Sequence, residues 1–175
     1  ALYDPTLTLS VPIDITIQTG LDTLSHALES IWNKNANCIT LGFATKSAKL
    51  ILNNLVLVAN NLDNLNYRYN IMKGCMYAGL AFSNTQTAIA HAISYYITIN
   101  KGVDHGIACS FTLPMLIDNV VGNYDFIDTA LFEIFGELSS QYLRNIFKEL
   151  NMSIEFEDYN VSKEEIEEIK LVLQN

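Results

Sequence analysis

The chain is poor in histidine and in basic charge, and it lacks any apolar run long enough to read as a membrane span. Of 175 residues only three are His and ten are Lys or Arg, against nineteen Asp or Glu, for a net charge of −9. A surface of that sign repels nucleic acid and anionic membrane, so neither is expected as a partner. An anionic substrate would need a local cation. The apolar stretch "LILNNLVLVA" is interrupted by Asn53 and Asn54 and falls short of a bilayer crossing. The cysteines, Cys38, Cys75 and Cys109, are odd in number, scattered and without a C-x-x-C pair. That argues against a disulfide framework and for a reducing, cytoplasmic setting. The opening "ALYDPTLTLSVP" has no initiator Met and no basic-then-apolar leader, so it reads as the edge of something longer. No phosphate-cradling G-x-G-x-x-G loop occurs.

What is present is a globular composition, half hydrophobic and 17% charged, in a length suited to one domain with a real core. Residues 1–16 carry Pro5 and Pro12 around a Leu/Thr alternation, which predicts a short extended lead-in. After Gly20 the period changes. Leu21, Leu24, Leu28 and Trp32 fall on one helical stripe. Residues 38–61 are apolar nearly all round and predict a buried helix; 65–82 predict a third. Residues 83–98 predict a fourth, with Ser83 or Asn84 as N-cap. A turn at "KGVD" leads to an apolar stretch opened by His105 and interrupted by Pro114. Helices are expected near 125–135 and 139–150. The last helix, "SKEEIEEIKLVLQN", starts on a capping box made by Ser162 and Glu165. The expectation is an all-α, multi-helical bundle of about seven or eight helices filling residues 1–175.

All three histidines lie in apolar helical phrases. Asp22 and His26 are spaced i,i+4 and share a helix face. His91 and Tyr95 repeat that spacing, and His105 stands where the next helix begins. Two helices and one helix start can therefore converge Asp22, His26, His91 and His105. Three imidazoles and a carboxylate suit Fe(II), Zn(II) or Mn(II) better than calcium or magnesium. An ordinary i,i+4 pair and satisfied core histidines read the same residues without a metal.

The phrases "GLDTLSHALESIW", "AGLAFSNTQTAIAHAISYYIT" and "GVDHGIACSFTLP" resemble the iron-containing alcohol dehydrogenases. That family's pattern runs G-x-D-A-x-x-H-A-x-E, then A-G-x-A-F-x-N, H-A and H-G, and "DPTLTLSVP" is similar to its DP-x-L lead-in. The resemblance covers nearly the whole chain. It implies metal ligands at Asp22, His26, His91 and His105, an Fe(II) or Zn(II) ion, and NAD(P)H bound by an N-terminal α/β domain with a G-G-G-S-type motif. Nothing here supplies that motif, so the chain reads as the helical, metal-binding part of a two-domain enzyme, with residues 1–16 leading in from the other domain. Glycerol dehydrogenases and dehydroquinate synthases lack a histidine four residues after the first acidic ligand, and His26 favours the alcohol dehydrogenase branch.

The implied activity is NAD(P)-linked oxidation of a small alcohol or reduction of a small aldehyde, in an enzyme that is often a dimer. Many members carry a further histidine, linked to proton transfer, where this chain has Tyr95. A phenol can donate a proton or orient water but is a poor base at neutral pH; a core aromatic is the other reading. "HAISYYIT" looks like the "HAISYPLT" of phosphonoacetaldehyde reductases, with Tyr96 for the proline. Glu29 matches H-A-x-E and reads either as a carboxylate steadying a ligand or as a solvated one. Asn84 reads as a helix brace, Cys109 as a buried small hydrophobe or a group near the metal. Lys101 reads as a solvated loop lysine or a contact for an anionic substrate. A non-catalytic helical metal-binding or interaction module is the alternative function.

Overall fold

The computed structural model describes residues 2–137 and 139–173, and among these every regular element is helical. Nine α-helices follow in chain order: α1 Ile13–Trp32, α2 Cys38–Asn60, α3 Leu65–Thr85, α4 Ile89–Lys101, α5 His105–Ala108, α6 Leu113–Val120, α7 Asp125–Phe135, α8 Gln141–Glu149 and α9 Lys163–Leu173. Gln174 and Asn175, expected at the end of the last helix, lie outside the described residues, as does Ala1 of the lead-in.

The lead-in departs from expectation. Its middle, Pro5–Thr8, winds into a 3-10 turn because the Asp4 carboxylate accepts from the Thr6 N–H at 3.0 Å and Pro5 fixes the first φ. α1 then starts at Ile13, directly after Pro12, seven residues ahead of Gly20. Buried Arg68 of α3 holds this entry. Its guanidinium donates to Val11 C=O at 2.9 Å, to Thr16 Oγ1 at 2.7 Å and to Leu62 C=O at 2.8 Å.

α1, α2 and α3 form the main body. Leu21, Leu24, Leu28 and Ile31 of α1 are fully buried, each worth on the order of 2 kcal/mol of transfer from water. α2 starts on a reciprocal cap between Asn37 and Thr40 and packs Ala44, Ala48, Ile51, Leu55 and Val58 inward. By length and composition α2 could cross a membrane, yet half of its most apolar window is buried inside the domain, as in a bundle's central helix. Small residues let the helices close: a Cβ on Gly74 would stand 2.8 Å from Ile51 Cδ1.

The third helix overruns its expected end. Ser83 and Asn84 lie inside α3, which stops at Gln86 (φ +69°). α4 starts after Ala88, which offers no side-chain cap. It ends on left-handed Gly102, whose N–H bonds to Thr98 C=O. Two apolar clusters result. The larger joins α1, α2 and α3 to residues of α6, α7 and α8. The smaller gathers Ile93 and Ile97 of α4, Ala108, Phe111, Val161 and Ile169 of α9.

Candidate metal centre

The larger cluster takes one stripe of α1. Asp22, His26 and Glu29 occupy another, turned toward α4 and α5. α5 is held against α1 very closely. A Cβ on Gly106 would fall 2.0 Å from the Gln18 carbonyl oxygen, so only glycine fits. Gln18 Nε2 also donates to Asp104 at 2.7 Å, and Ser25 Oγ donates to the Cys109 carbonyl at 2.8 Å. These ties bring the start of α5, with His105, over Asp22.

The three expected histidines each approach Asp22, but the donors that all lie within 4.8 Å of one another are those of Asp22, His91, His105 and Cys109, and His26 is not among them. His26, His91 and His105 place Nε2 at 3.5, 3.4 and 3.6 Å from the same oxygen, Asp22 Oδ1. Cys109 joins them, its Sγ 3.4 Å from that oxygen. The His26 ring is stacked between Phe82 and His91, each centroid 4.2 Å away. Side-chain exposure rises from 3% at His91 through 19% at His26 and 31% at Asp22 to 42% at His105. The cluster is therefore closed at one end and open at the other.

Glu29 is fully buried and is not a solvated carboxylate. It accepts from the backbone N–H groups of Ala88 at 3.0 Å, Ala90 at 2.6 Å and His91 at 3.3 Å. It thus caps α4 from a distant helix, where the helix start has orphan donors and favours negative charge. Its second task is at His91, whose Nδ1 lies 2.5 Å from Glu29 Oε2. That bond puts the ring proton on Nδ1 and turns Nε2 toward Asp22.

Two buried ring nitrogens, His91 Nε2 and His26 Nδ1, make no hydrogen bond. Buried polar atoms are rarely left so. Burial disfavours charge on both rings. At His26 it wins, holding the pKa below the usual histidine value despite Asp22. At His91 the Glu29 hydrogen bond and the two nearby carboxylates, Glu29 and Asp22 with Oδ1 3.4 Å from Nε2, outweigh it and raise the pKa to about 9. Burial also opposes charge on Asp22, yet the close approach of His91, 3.4 Å away, and the field of His26 keep its pKa below the ordinary carboxylate value.

Tyr95 is 57% exposed, not a core aromatic. Its ring lies 6.4 Å from that of His105, at the open end of the cluster. Asn84 braces its own helix through Leu80 C=O, at 2.9 Å. Lys101 is neither free nor solvated: its ammonium lies 2.7 Å from Glu165. A groove of about 720 Å³ between α2 and α7, lined by Lys46, Lys49 and Phe126 among others, includes none of the clustered donors.

Two features escaped the sequence reading. The close approach at Gly106 was visible only as an H-G pair, and Phe82 as the aromatic of A-F-x-N. Neither declares its partner without the fold.

The profile of the Fe-containing alcohol dehydrogenase family, C-terminal, matches residues 16–173. The chain belongs to that family. It is 33% identical over 139 residues to a 1,3-propanediol dehydrogenase of Citrobacter freundii, covering 78% of this chain and 35% of the relative. It is 32% identical over 123 residues to a sulfoacetaldehyde reductase of Bilophila wadsworthia, covering 70% and 32%. Among solved structures, a sulfoacetaldehyde reductase from Bifidobacterium kashiwanohense in complex with NAD+ superposes with a TM-score of 0.86 at 28% identity, covering 98% of this chain and 47% of that one. An alcohol dehydrogenase from Oenococcus oeni gives 0.87 at 25%, covering 95% and 46%. The chain thus spans about a third of the curated relatives' length and about half of the solved ones'.

Proposed function

We propose that this chain is the metal-holding, substrate-facing part of an NAD(P)-linked alcohol dehydrogenase or aldehyde reductase, with Asp22, His26, His91 and His105 as ligands of one divalent ion, Fe(II) or Zn(II). The observation that carries the reading is the set of three Nε2 atoms 3.4–3.6 Å from one carboxylate oxygen. Ligands about 2.1 Å from a metal at tetrahedral corners stand about 3.4 Å apart. The unpartnered Nε2 of buried His91 supports it, since such an atom wants a partner.

Bound there, the ion would supply a Lewis acid that polarises a carbonyl oxygen. The chain's own residues do the rest. Glu29 locks His91 by accepting from Nδ1. Phe82 and His91 hold the His26 ring between them. Tyr95, beside His105 at the open end, offers a phenolic O–H to an oxygen that gains charge, the role of the catalytic proton donor. A hydride has to come from a nicotinamide, because no side chain donates one. The relatives' greater length leaves room for a second domain to bind it.

The substrate class is a small aldehyde or alcohol. Phosphonoacetaldehyde, giving 2-hydroxyethylphosphonate, is the narrower proposal and rests on "HAISYYIT"; Lys101, engaged by Glu165, is not its anion contact. Three free thiols suit a cytoplasmic setting. Elemental analysis after anaerobic loading with Fe(II) or Zn(II) tests the reading: about one ion per chain is expected, and His26→Ala should abolish tight binding. A folded chain that takes up no metal overturns it. One that binds metal, in a whole protein inert toward aldehydes with NADH and NADPH, is the non-catalytic module instead.

A further inference from the structure

We infer that Cys109 Sγ is a further donor to this ion, which makes the centre a mixed nitrogen, oxygen and sulfur site. The inference rests on the proposed metal site and goes beyond its four ligands. One donor atom each from Asp22, His91, His105 and Cys109 lies within 4.8 Å of all the others, a group in which Cys109 is included and His26 is not. A thiolate at about 2.3 Å and an imidazole or carboxylate at about 2.1 Å on opposite sides of one ion stand about 4.4 Å apart. A group spanning at most 4.8 Å needs to close by only a few tenths of an ångström to hold an ion, and the thiol, 3.4 Å from Asp22 Oδ1, lies within it.

The position of the sulfur is fixed. Cys109 is fully buried. Its carbonyl accepts from Ser25 of α1 at 2.8 Å and its N–H bonds to the His105 carbonyl at 2.9 Å. The Gly106 approach holds the same turn against α1. Sγ can thus point only into the cluster or along its own turn, where its nearest contacts are Gly106 C=O at 3.5 Å and Ser110 Oγ at 3.8 Å. An independent sign comes from His91. Its residue is 2% exposed, and its Nε2 faces the same group without a hydrogen bond. Cys38 and Cys75 are outside the group.

On binding, the Cys109 S–H bond breaks and its proton passes to solvent. The sulfur keeps the electron pair and shares it with the ion, and no electron is transferred. A soft thiolate biases the site toward Zn(II) and Co(II) over Fe(II), relative to a set of imidazoles and carboxylate alone.

The test is an anaerobic Co(II) titration of the metal-free protein, followed in the near ultraviolet with metal counted by elemental analysis. A thiolate-to-cobalt charge-transfer band that saturates at about one Co(II) per chain is expected. Cys109→Ser should bind Co(II) without the band and bind Zn(II) at least about 10-fold more weakly, the low end of losing even an outer partner of a ligand. Cys38→Ser should keep the band. X-ray absorption on the native zinc form needs no variant, and one sulfur neighbour at about 2.3 Å is expected. One bound metal with no sulfur neighbour, or a band that survives Cys109→Ser, overturns the inference and leaves the four-ligand reading standing. No bound Co(II) in a chain still helical by circular dichroism overturns both.

Discussion

The two apolar clusters are built differently, and the donors lie between them. The larger is a three-helix body in which Leu21, Leu24, Leu28, Ile51 and Leu55 interlock over long helices. The smaller is closed by short pieces, with Phe111 set edge-on to Phe156 at 4.9 Å and tilted on Tyr159 at 4.7 Å. Asp22 and His26 ride on a helix of the first. His91 stands between Ala90, which belongs to the larger cluster, and Ile93, which belongs to the smaller. A site on such a seam is only as well formed as the contact between its two sides. Hydrophobic burial makes each body; a few polar ties and one glycine register them.

The deepest tie is Glu29, so breaking it separates the two sides most. Glu29→Ala leaves the N–H groups of Ala88, Ala90 and His91 without their acceptor and frees the His91 ring. Removing one partner of a buried pair costs about 3–5 kcal/mol. Urea unfolding should register that loss, and metal content should fall with it. Glu29→Gln keeps one acceptor oxygen, for the N–H groups of Ala90 and His91, but sets an amide N–H against Ala88 N–H and His91 Nδ1. It should recover some of the stability and little of the metal. A Glu29→Ala protein as stable as the native one would mean that the seam is held elsewhere.

Gly106→Ala is next. The added methyl meets a backbone oxygen at 2.0 Å, which cannot swing aside as a side chain can. Overpacking of this kind costs about 1–3 kcal/mol. The damage should be local: α1–α3 keep their cores while His105 lifts from Asp22. Hydrogen exchange should therefore rise around 104–112 more than in α2. Uniform exchange across both clusters would show that they unfold as one unit.

Tyr95→Phe sharpens the contrast from the open side. The ring is exposed and lies 6.4 Å from His105, so its hydroxyl supports neither cluster. Stability should change by less than about 0.5 kcal/mol, and metal content not at all. In the whole enzyme, kcat should drop by about 10- to 100-fold if the phenol donates a proton. Loss of metal in this variant would place Tyr95 among the ligands.

How much of this was legible in the sequence follows the same division. α1 shows in its Leu stripe, α2 in a stretch apolar nearly all round, and α7 and α8 near their expected bounds; the Ser162/Glu165 cap of α9 forms as expected, with Ser162 N–H to Glu165 at 2.9 Å. The boundary between α3 and α4 did not show, because the turn falls on Gln86 in a left-handed conformation, and no glycine marks it. Asp22 and His26 are readable as a pair because one helix fixes both. Their meeting with His91 and His105 depends on how α4 and α5 dock, which spacing along the chain does not encode. Glu29 was readable as a carboxylate near a ligand, but its capping of α4 spans about sixty residues.

The smallest expected effect is at the outer edge of the lesser cluster, where α9 is fastened to α4. Glu165 takes the Lys101 ammonium at 2.7 Å, the Tyr96 hydroxyl at 3.0 Å and the Ser162 N–H at 2.9 Å. Lys101 first, then the bond from Ser162, hold its pKa down at about 2, against an ordinary 4.5. The carboxylate thus binds its proton less readily folded than unfolded. Its stabilising share is present in full above pH 4.5 and fades as pH falls from there toward 2. Glu165→Gln should lower stability slightly at neutral pH and converge with the native chain near pH 2. Solvent and salt screen such a pair, so the gap should also shrink in high salt. Metal binding should be untouched, because Glu165 and its partners Lys101, Tyr96 and Ser162 include none of the clustered donors. A Glu165→Gln protein that loses metal would show that the outer clasp, and not Glu29 and Gly106, sets the register of the seam.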